Sequence, residues 1–167
     1  VNYKTISDHT IAQASETYST KQDSQESFAN GTGTNQINRV FASRRTLTAA
    51  SGTDDLDLSA LSDPIFVGGT INFDKVKFLY IKNQEPQNAN GANLLISAAP
   101  TNGWTALFNG ATVTAGQPIK LGPQDEFCIT RKTTGIDCPT SASTLRITHD
   151  GGSTGALDYD IIIGGTV

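Results

Sequence analysis

Several residue types are scarce in this sequence, and their scarcity limits what the protein can do. Methionine is absent, and the chain has one tryptophan, two histidines and only 17% charged residues. An average soluble protein carries about 25% charged residues. The net charge of −4 and the pI near 5.0 argue against a nucleic-acid partner, because binding phosphates requires a basic face.

Long apolar runs are also missing. A helix that crosses a membrane requires about 20 apolar residues, whereas the longest runs here, such as Phe78–Ile81 and Ile161–Ile163, have the length of a strand. We therefore expect no membrane contact. Glycine, serine and threonine are abundant instead. With so little charge, this composition favours an extended β-protein with a neutral polar surface over a helical bundle.

Residues that could carry catalysis or bind a metal are few. His9 and His149 lie outside any nucleophile motif, and His149 is expected on the surface at the end of a strand. Alternation would place Asp55 and Asp57 on one face of an extended segment, but Asp54 and these two do not follow calcium-loop spacing. We expect no enzymatic activity, no cofactor and no bound metal.

The two cysteines, Cys128 and Cys138, lie on either side of Thr133–Gly135, which resembles a turn between two short strands. The prediction is a disulfide that closes this hairpin, and a loop of this length would contribute about 2–3 kcal/mol. Two free thiols are the alternative, as in many cytosolic proteins. A zinc site normally needs four ligands, so two cysteines without clustered histidines do not indicate one.

The composition changes near residue 45. Residues 1–45 are polar, and their thinly spaced apolar residues cannot offset the entropy of ordering this segment alone. Ser7 predicts the start of a short helix over residues 8–16. We predict an extended arm that is either disordered or ordered by a partner chain. Four residues are the candidate assembly contacts: Phe28, Ile37, Val40 and Phe41.

From residue 46 onward, strand patterns alternate with turn residues. Phe73–Lys82 is a strand candidate, and Leu145 and Ile147 alternate with polar neighbours. Short strands at this spacing are typical of a β-sandwich or jelly roll. We therefore predict an all-β protein. Its single domain, residues 46–167, is expected to contain about seven to eight antiparallel strands and to follow the N-terminal arm.

Trp104 is the single tryptophan and lies between the turn candidates Asn102–Gly103 and Asn109–Gly110. An aromatic side chain near loops either anchors a loop on the core or offers a flat platform for a sugar. Anchoring is the preferred interpretation, and a ligand platform at Trp104 remains the second one.

An ordered series of phrases over residues 44–164 resembles small structural proteins of tailed phages. The phrases are RRTLTAASGTDDLDLSALSD, INFDKVKFLYIKN, NLLISAAPTNGWTALFNG, IKLGPQDEFCIT, STLRITHDGG and LDYDIIIGG. The resemblance implies a β-sandwich head displayed on a virion, with no catalytic residues. It does not extend to residues 1–45, and the segment from Cys128 to Cys138 departs from the pattern.

The expected function is therefore that of a non-enzymatic virion protein. It would decorate or cement a capsid, or form a small head or tail fibre, attached through residues 1–45. The implied partners are a major capsid or tail protein and further copies of the chain, with a trimer as the first candidate. The protein would be made in the host cytoplasm and lie on the particle exterior.

Two other functions compete with this one. The first is a carbohydrate-binding or host-recognition sandwich, in which Trp104, Tyr80 or Tyr159 stacks on a surface glycan. The second is a hydrolase that uses loop carboxylates, for which the sequence shows no supporting motif.

Overall fold

A computed structural model describes residues 2–13, 16–48, 52–64, 68–86, 92–108, 118–151 and 155–167, and for residues 2–26 it describes the backbone. Strands are the main regular structure of these residues, and the described ranges also contain a short 3-10 helix at Thr105–Phe108. The strands in chain order are β1 (Asn2–Gln13), β2 (Glu16–Ser27), β3 (Ala29–Asn30), β4 (Gln36–Ile37), β5 (Arg39–Leu47), β6 (Thr53–Asp57), β7 (Leu61–Ser62), β8 (Thr70–Ile71), β9 (Lys75–Asn83), β10 (Leu94–Ala98), β11 (Ile119–Leu121), β12 (Glu126–Thr130), β13 (Ile136–Asp137), β14 (Thr144–His149) and β15 (Leu157–Thr166).

Two antiparallel sheets form the body of the protein. One has the strand order β11-β10-β14-β6, and the other has the order β12-β9-β15-β5, with β13 also paired to β9. A single buried apolar cluster joins Leu94 and Leu145 of the first sheet to Ile81 and Ile161 of the second. The sheets therefore pack face to face over one core, which confirms the predicted antiparallel β-sandwich.

Alternation along each strand decides which side chains enter this core. In β15, Tyr159, Ile161 and Ile163 are fully buried. Asp158 is exposed and Asp160 is partly exposed, because neighbouring side chains of a strand point to opposite faces. The regular alternation in the sequence was therefore a reliable guide to this strand.

Strand β9 departs from simple alternation because both of its faces are covered. Leu79 and Ile81 face the core, whereas Phe78 belongs to a second apolar cluster with Phe28 and Ile37. The Phe28 and Phe78 ring centroids are 6.4 Å apart at an angle of 57°. Residues 28–38, called the docking segment below, thus lie on the outer face of the five-stranded sheet.

Polar contacts hold the docking segment in place beside these rings. Lys77 is 2% exposed, and its Nζ donates to the carbonyl oxygens of Gly33 at 2.5 Å and Thr32 at 3.3 Å. The backbone N–H of Asn35 donates to the carbonyl of Lys132 at 3.1 Å. A buried ammonium group requires such acceptors, so Lys77 ties the docking segment to the centre of the sheet.

Strand β5 crosses the boundary that the sequence predicted between residues 45 and 46. All nine of its residues pair with β15, from Arg39 opposite Gly165 to Leu47 opposite Leu157. Phe41 lies in the main core. The five-stranded sheet therefore begins at Arg39, within the segment that the sequence assigned to the arm.

The helix predicted over residues 8–16 is wrong. Strands β1 and β2 form an antiparallel hairpin whose register runs from Asn2 opposite Ser27 to Gln13 opposite Glu16. Apolar residues do not recur at helical spacing in this region, so a helix would have no apolar face to bury. Threonine and tyrosine also favour extended backbone. Pairing between the two strands therefore takes precedence over the single capping signal at Ser7.

The two faces of β15 allow a direct test of the core. We expect Ile161→Ala to lower the free energy of unfolding by about 2–5 kcal/mol, because it leaves a cavity between the sheets. Ile162→Ala is the matched control, since Ile162 is partly exposed on the outer face. Denaturant unfolding should show the smaller loss for Ile162→Ala, and equal losses would contradict the assignment of faces.

Candidate functional site

The predicted disulfide is wrong, because Cys128 and Cys138 are not bonded to each other. Both strands that flank the turn candidate pair with β9 rather than with each other: Cys128 lies opposite Tyr80, whereas Asp137 lies opposite Lys75. Five strand residues span roughly 16 Å, far beyond the Cα separation of a disulfide. Sequence spacing alone suggested a hairpin that does not form.

The two thiols lie in different environments. Cys128 is exposed and Cys138 is buried. Burial, reinforced by the nearby charges of Asp57 and Asp74, raises the pKa of the Cys138 thiol to about 12. The thiolate is the reactive form, so Cys138 remains a protonated, unreactive thiol at neutral pH.

Alkylation can test this difference. In the folded protein at pH 8, we expect iodoacetamide to modify Cys128 many times faster than Cys138. Unfolding in denaturant removes the burial and should bring the two rates together. Peptide mass spectrometry reads both sites, and a Cys128–Cys138 disulfide in the non-reduced protein would contradict the structure.

Trp104 anchors a loop, as the preferred interpretation predicted. Its side chain is fully buried, and its Nε1 donates to the carbonyl oxygen of Asp137 at 2.7 Å. No ring face is therefore exposed for stacking on a sugar. Tyr159, a second suggested stacking residue, is also fully buried, whereas Tyr80 is partly exposed on the outer face.

Three of the four candidate assembly contacts pack within this chain. Phe41 is a core residue, and Phe28 and Ile37 are buried against Phe78 on the outer face of the five-stranded sheet. Val40 differs, since 39% of it is exposed. Phe28, Ile37 and Phe41 therefore bury most of their apolar surface within this chain, because the sheet itself supplies the surface that they need. Their contact with another chain stays a prediction.

The three carboxylates of the acidic cluster in β6 accept hydrogen bonds from different residues. Asp55 and Asp57 are exposed, as alternation predicted, and Asp55 accepts two hydrogen bonds from Arg146 at 2.7 and 2.6 Å. These bonds lower the pKa of Asp55. Burial would raise the pKa of Asp57, but hydrogen bonds from Ser59 and Ser143 outweigh it and the net shift is downward. Within the described ranges, no group of three or more His, Cys, Asp or Glu side chains could hold a metal ion.

Asp54, the third carboxylate of this cluster, joins the two sheets. Strands β5 and β6 are edge strands of opposite sheets. Arg45 on β5 binds Asp54 through Nε and, at 3.1 Å, through Nη2, while the Tyr159 hydroxyl donates to Asp54 at 2.7 Å. Burial raises the pKa of Tyr159, and its bond to Asp54 raises it further. We call Arg45, Asp54 and Tyr159 the seam cluster.

A row of alternating charges crosses the outer face of the five-stranded sheet. Register places Arg44, Asp160, Lys82 and Glu126 side by side on four neighbouring strands. Arg44 binds Asp160 at 2.7 and 3.0 Å, and Lys82 binds Glu126 at 2.9 Å. The hydrogen bonds from Arg44 lower the pKa of Asp160. The adjacent row on this face is largely apolar and consists of Ala42, Ile162, Tyr80 and Cys128.

Two grooves border strand β5. The first, of about 330 Å³, is polar and lies along the seam between the sheets; it is lined by Arg44, Arg45, Thr46, Leu47, Thr48, Gly52, Thr53 and Asp54. The second, of about 230 Å³, lies where the docking segment meets the start of the strand; it is lined by Phe28, Ala29, Asn30, Ile37, Asn38 and Val40. Both grooves are therefore lined in part by residues of the same edge strand.

His149 is buried, so the expectation of a surface histidine is wrong. Its Nδ1 accepts a hydrogen bond from the N–H of Gly151 at 2.9 Å. Its Nε2 has no hydrogen-bond partner in the part of the chain that the structure describes. The backbone of His9 lies in β1. Sequence reasoning could not have found this burial, because strand ends are exposed in some folds and covered in others.

Comparison with known proteins does not assign the chain. The sequence matches no protein-family model, and no curated protein is significantly similar to it. Among the described residues, no helix has the length and apolar character needed to cross a membrane.

The seam cluster allows a comparison of two adjacent carboxylates. We expect Asp54→Asn to lower the free energy of unfolding by about 1–3 kcal/mol, because it weakens charged hydrogen bonds between the two sheets. The side chain of Asp54 is 17% exposed, whereas that of Asp55 is 42% exposed. Asp55→Asn is therefore the matched control, with an expected loss of about 0.2–1 kcal/mol. Equal losses in denaturant unfolding would contradict the role of the seam cluster.

Proposed function

We propose that this protein is a non-enzymatic structural component of a tailed-phage particle. Its β-sandwich decorates or cements the particle exterior, or forms the head of a small fibre. The N-terminal hairpin attaches it to a major capsid or tail protein. The resemblance over residues 44–164 suggests the setting, and the geometry of the hairpin supports the mode of attachment.

The observation that carries this proposal is that β1 and β2 form a sheet of their own. Each strand has twelve residues, and neither is hydrogen-bonded to any other described strand. An isolated two-stranded hairpin is marginally stable, and its open edges present backbone donors and acceptors to another chain. A partner strand along either edge would stabilise the hairpin and hold the protein to its neighbour.

The segment that connects the hairpin to the sandwich is anchored on the five-stranded sheet, as attachment through the hairpin requires. Phe28 follows β2 directly and packs against Phe78 on β9, while β5 follows the docking segment and pairs with β15. A force on the hairpin would therefore pass into the two inner strands of the five-stranded sheet. Lys77 adds a polar contact at the same place.

The competing functions receive less support from the described side chains. The glycan-binding alternative loses the rings of Trp104 and Tyr159, which are buried. The carboxylates of Asp54, Asp55 and Asp160 are each hydrogen-bonded to an arginine rather than directed together into a shared cleft. A structural protein commonly assembles with further copies of itself into a closed symmetric oligomer. We propose a trimer as the first candidate.

Limited trypsin digestion of the protein, alone and within the particle that carries it, tests the attachment. We expect cleavage after Lys4 and Lys21 in the free protein, because a marginal hairpin opens readily. Both sites should be protected in the particle. Arg131 is exposed in the sandwich and serves as the internal control, with similar cleavage in both samples.

Two results would contradict the proposal. Equal cleavage after Lys4 and Lys21 in the two samples would mean that the hairpin does not attach the protein. Resistance of both sites in the free protein would mean that the hairpin is already part of a self-contained assembly.

A further inference from the structure

We propose that the free edge of strand β5 accepts an extended segment of a partner protein by strand addition. The segment would carry a carboxylate and an apolar side chain four residues apart on one face. This contact is separate from the attachment through the hairpin, and it uses residues of the sandwich and the docking segment alone.

Strand β5 is well suited to receive another strand. It ends the five-stranded sheet, and β15 is the only described strand that is hydrogen-bonded to it. Its nine residues make it longer than the other strands that end the two sheets, namely β6, β11 and β12. Main-chain hydrogen bonds along such an edge supply affinity, and the side chains beside it supply specificity.

The start of β5 offers an apolar contact. Val40 is 39% exposed and lines the groove of about 230 Å³ with Phe28 and Ile37. Gly164 lies opposite Val40 on β15, so no bulky side chain covers Val40 from that strand. An apolar side chain of an added strand would therefore find a partly formed pocket here.

Four residues further along, β5 offers a positive charge on the same face. The side chain of Arg44 is 63% exposed. Its bonds to Asp160 use Nε and Nη2, which leaves Nη1 to donate to a second carboxylate. The charged residues of β5 are Arg39, Arg44 and Arg45, with no acidic residue among them. A carboxylate on an added strand would therefore meet only arginines among the charged residues of β5.

The spacing and direction of the two contacts define the partner. Residues i and i+4 of a strand share a face and lie about 13 Å apart, which matches the separation of Arg44 from Val40 along β5. Antiparallel pairing is the more stable arrangement per residue. An antiparallel partner passes Arg44 before Val40, so its carboxylate precedes its apolar residue by four positions.

Amide NMR of the 15N-labelled full-length protein tests this inference with two nine-residue peptides, the length of β5. Each peptide consists of Thr and Ser except for one Glu and one Val, with Glu four positions before Val in the first and the order reversed in the second. We expect the first peptide to shift the amide signals of Arg39–Leu47. It should bind the Arg44→Gln variant roughly fivefold more weakly.

Arg146→Gln is the matched control, because Arg146 makes the same two-bond contact with Asp55 on the other sheet. Its affinity for the first peptide should equal that of the unmodified protein. The inference is overturned if neither peptide shifts the β5 amides at millimolar concentration, or if both peptides bind equally well. It is also overturned if the β5 amides are already protected in a self-dimer.

Discussion

Burial of alternating side chains between two sheets is the constraint on which the rest of this protein depends. Leu79 and Ile81 of β9 and Ile161 and Ile163 of β15 meet the leucines and isoleucines of β10 and β14 in one core. Because side chains alternate along each strand, this burial also decides what the opposite faces display. The charge row, the apolar row and the docking surface for residues 28–38 all follow from it.

The docking segment has two roles on the outer face of the five-stranded sheet. Phe78 would be exposed if the sheet stood alone, and the docking segment covers it with Phe28 and Ile37. The same packing fixes the start of the N-terminal hairpin relative to the central strands. It also forms one wall of the groove beside Val40, so the attachment proposed for the hairpin and the partner contact proposed for β5 share a common support.

Three arginine–aspartate pairs supply side-chain hydrogen bonds between strands of this weakly charged protein. Two of them, Arg44 with Asp160 and Arg146 with Asp55, pair within a sheet. The pair of Arg45 and Asp54 instead connects the two sheets. Paired arginine provides directed hydrogen bonds without a large net charge, which suits a protein whose proposed role is contact with neighbours.

The sequence by itself determined the β-sandwich, because period-two alternation of apolar residues such as Leu145 and Ile147 is a local signal that burial enforces. It also indicated the anchoring role of Trp104. Only the tertiary structure decided that Phe41 lies in the core, that Cys128 and Cys138 lie apart along β9, and that Arg45 meets Asp54. These contacts join residues of different strands, and the order and register of those strands depend on the packing of the whole sheet. Spacing along the chain therefore does not predict them.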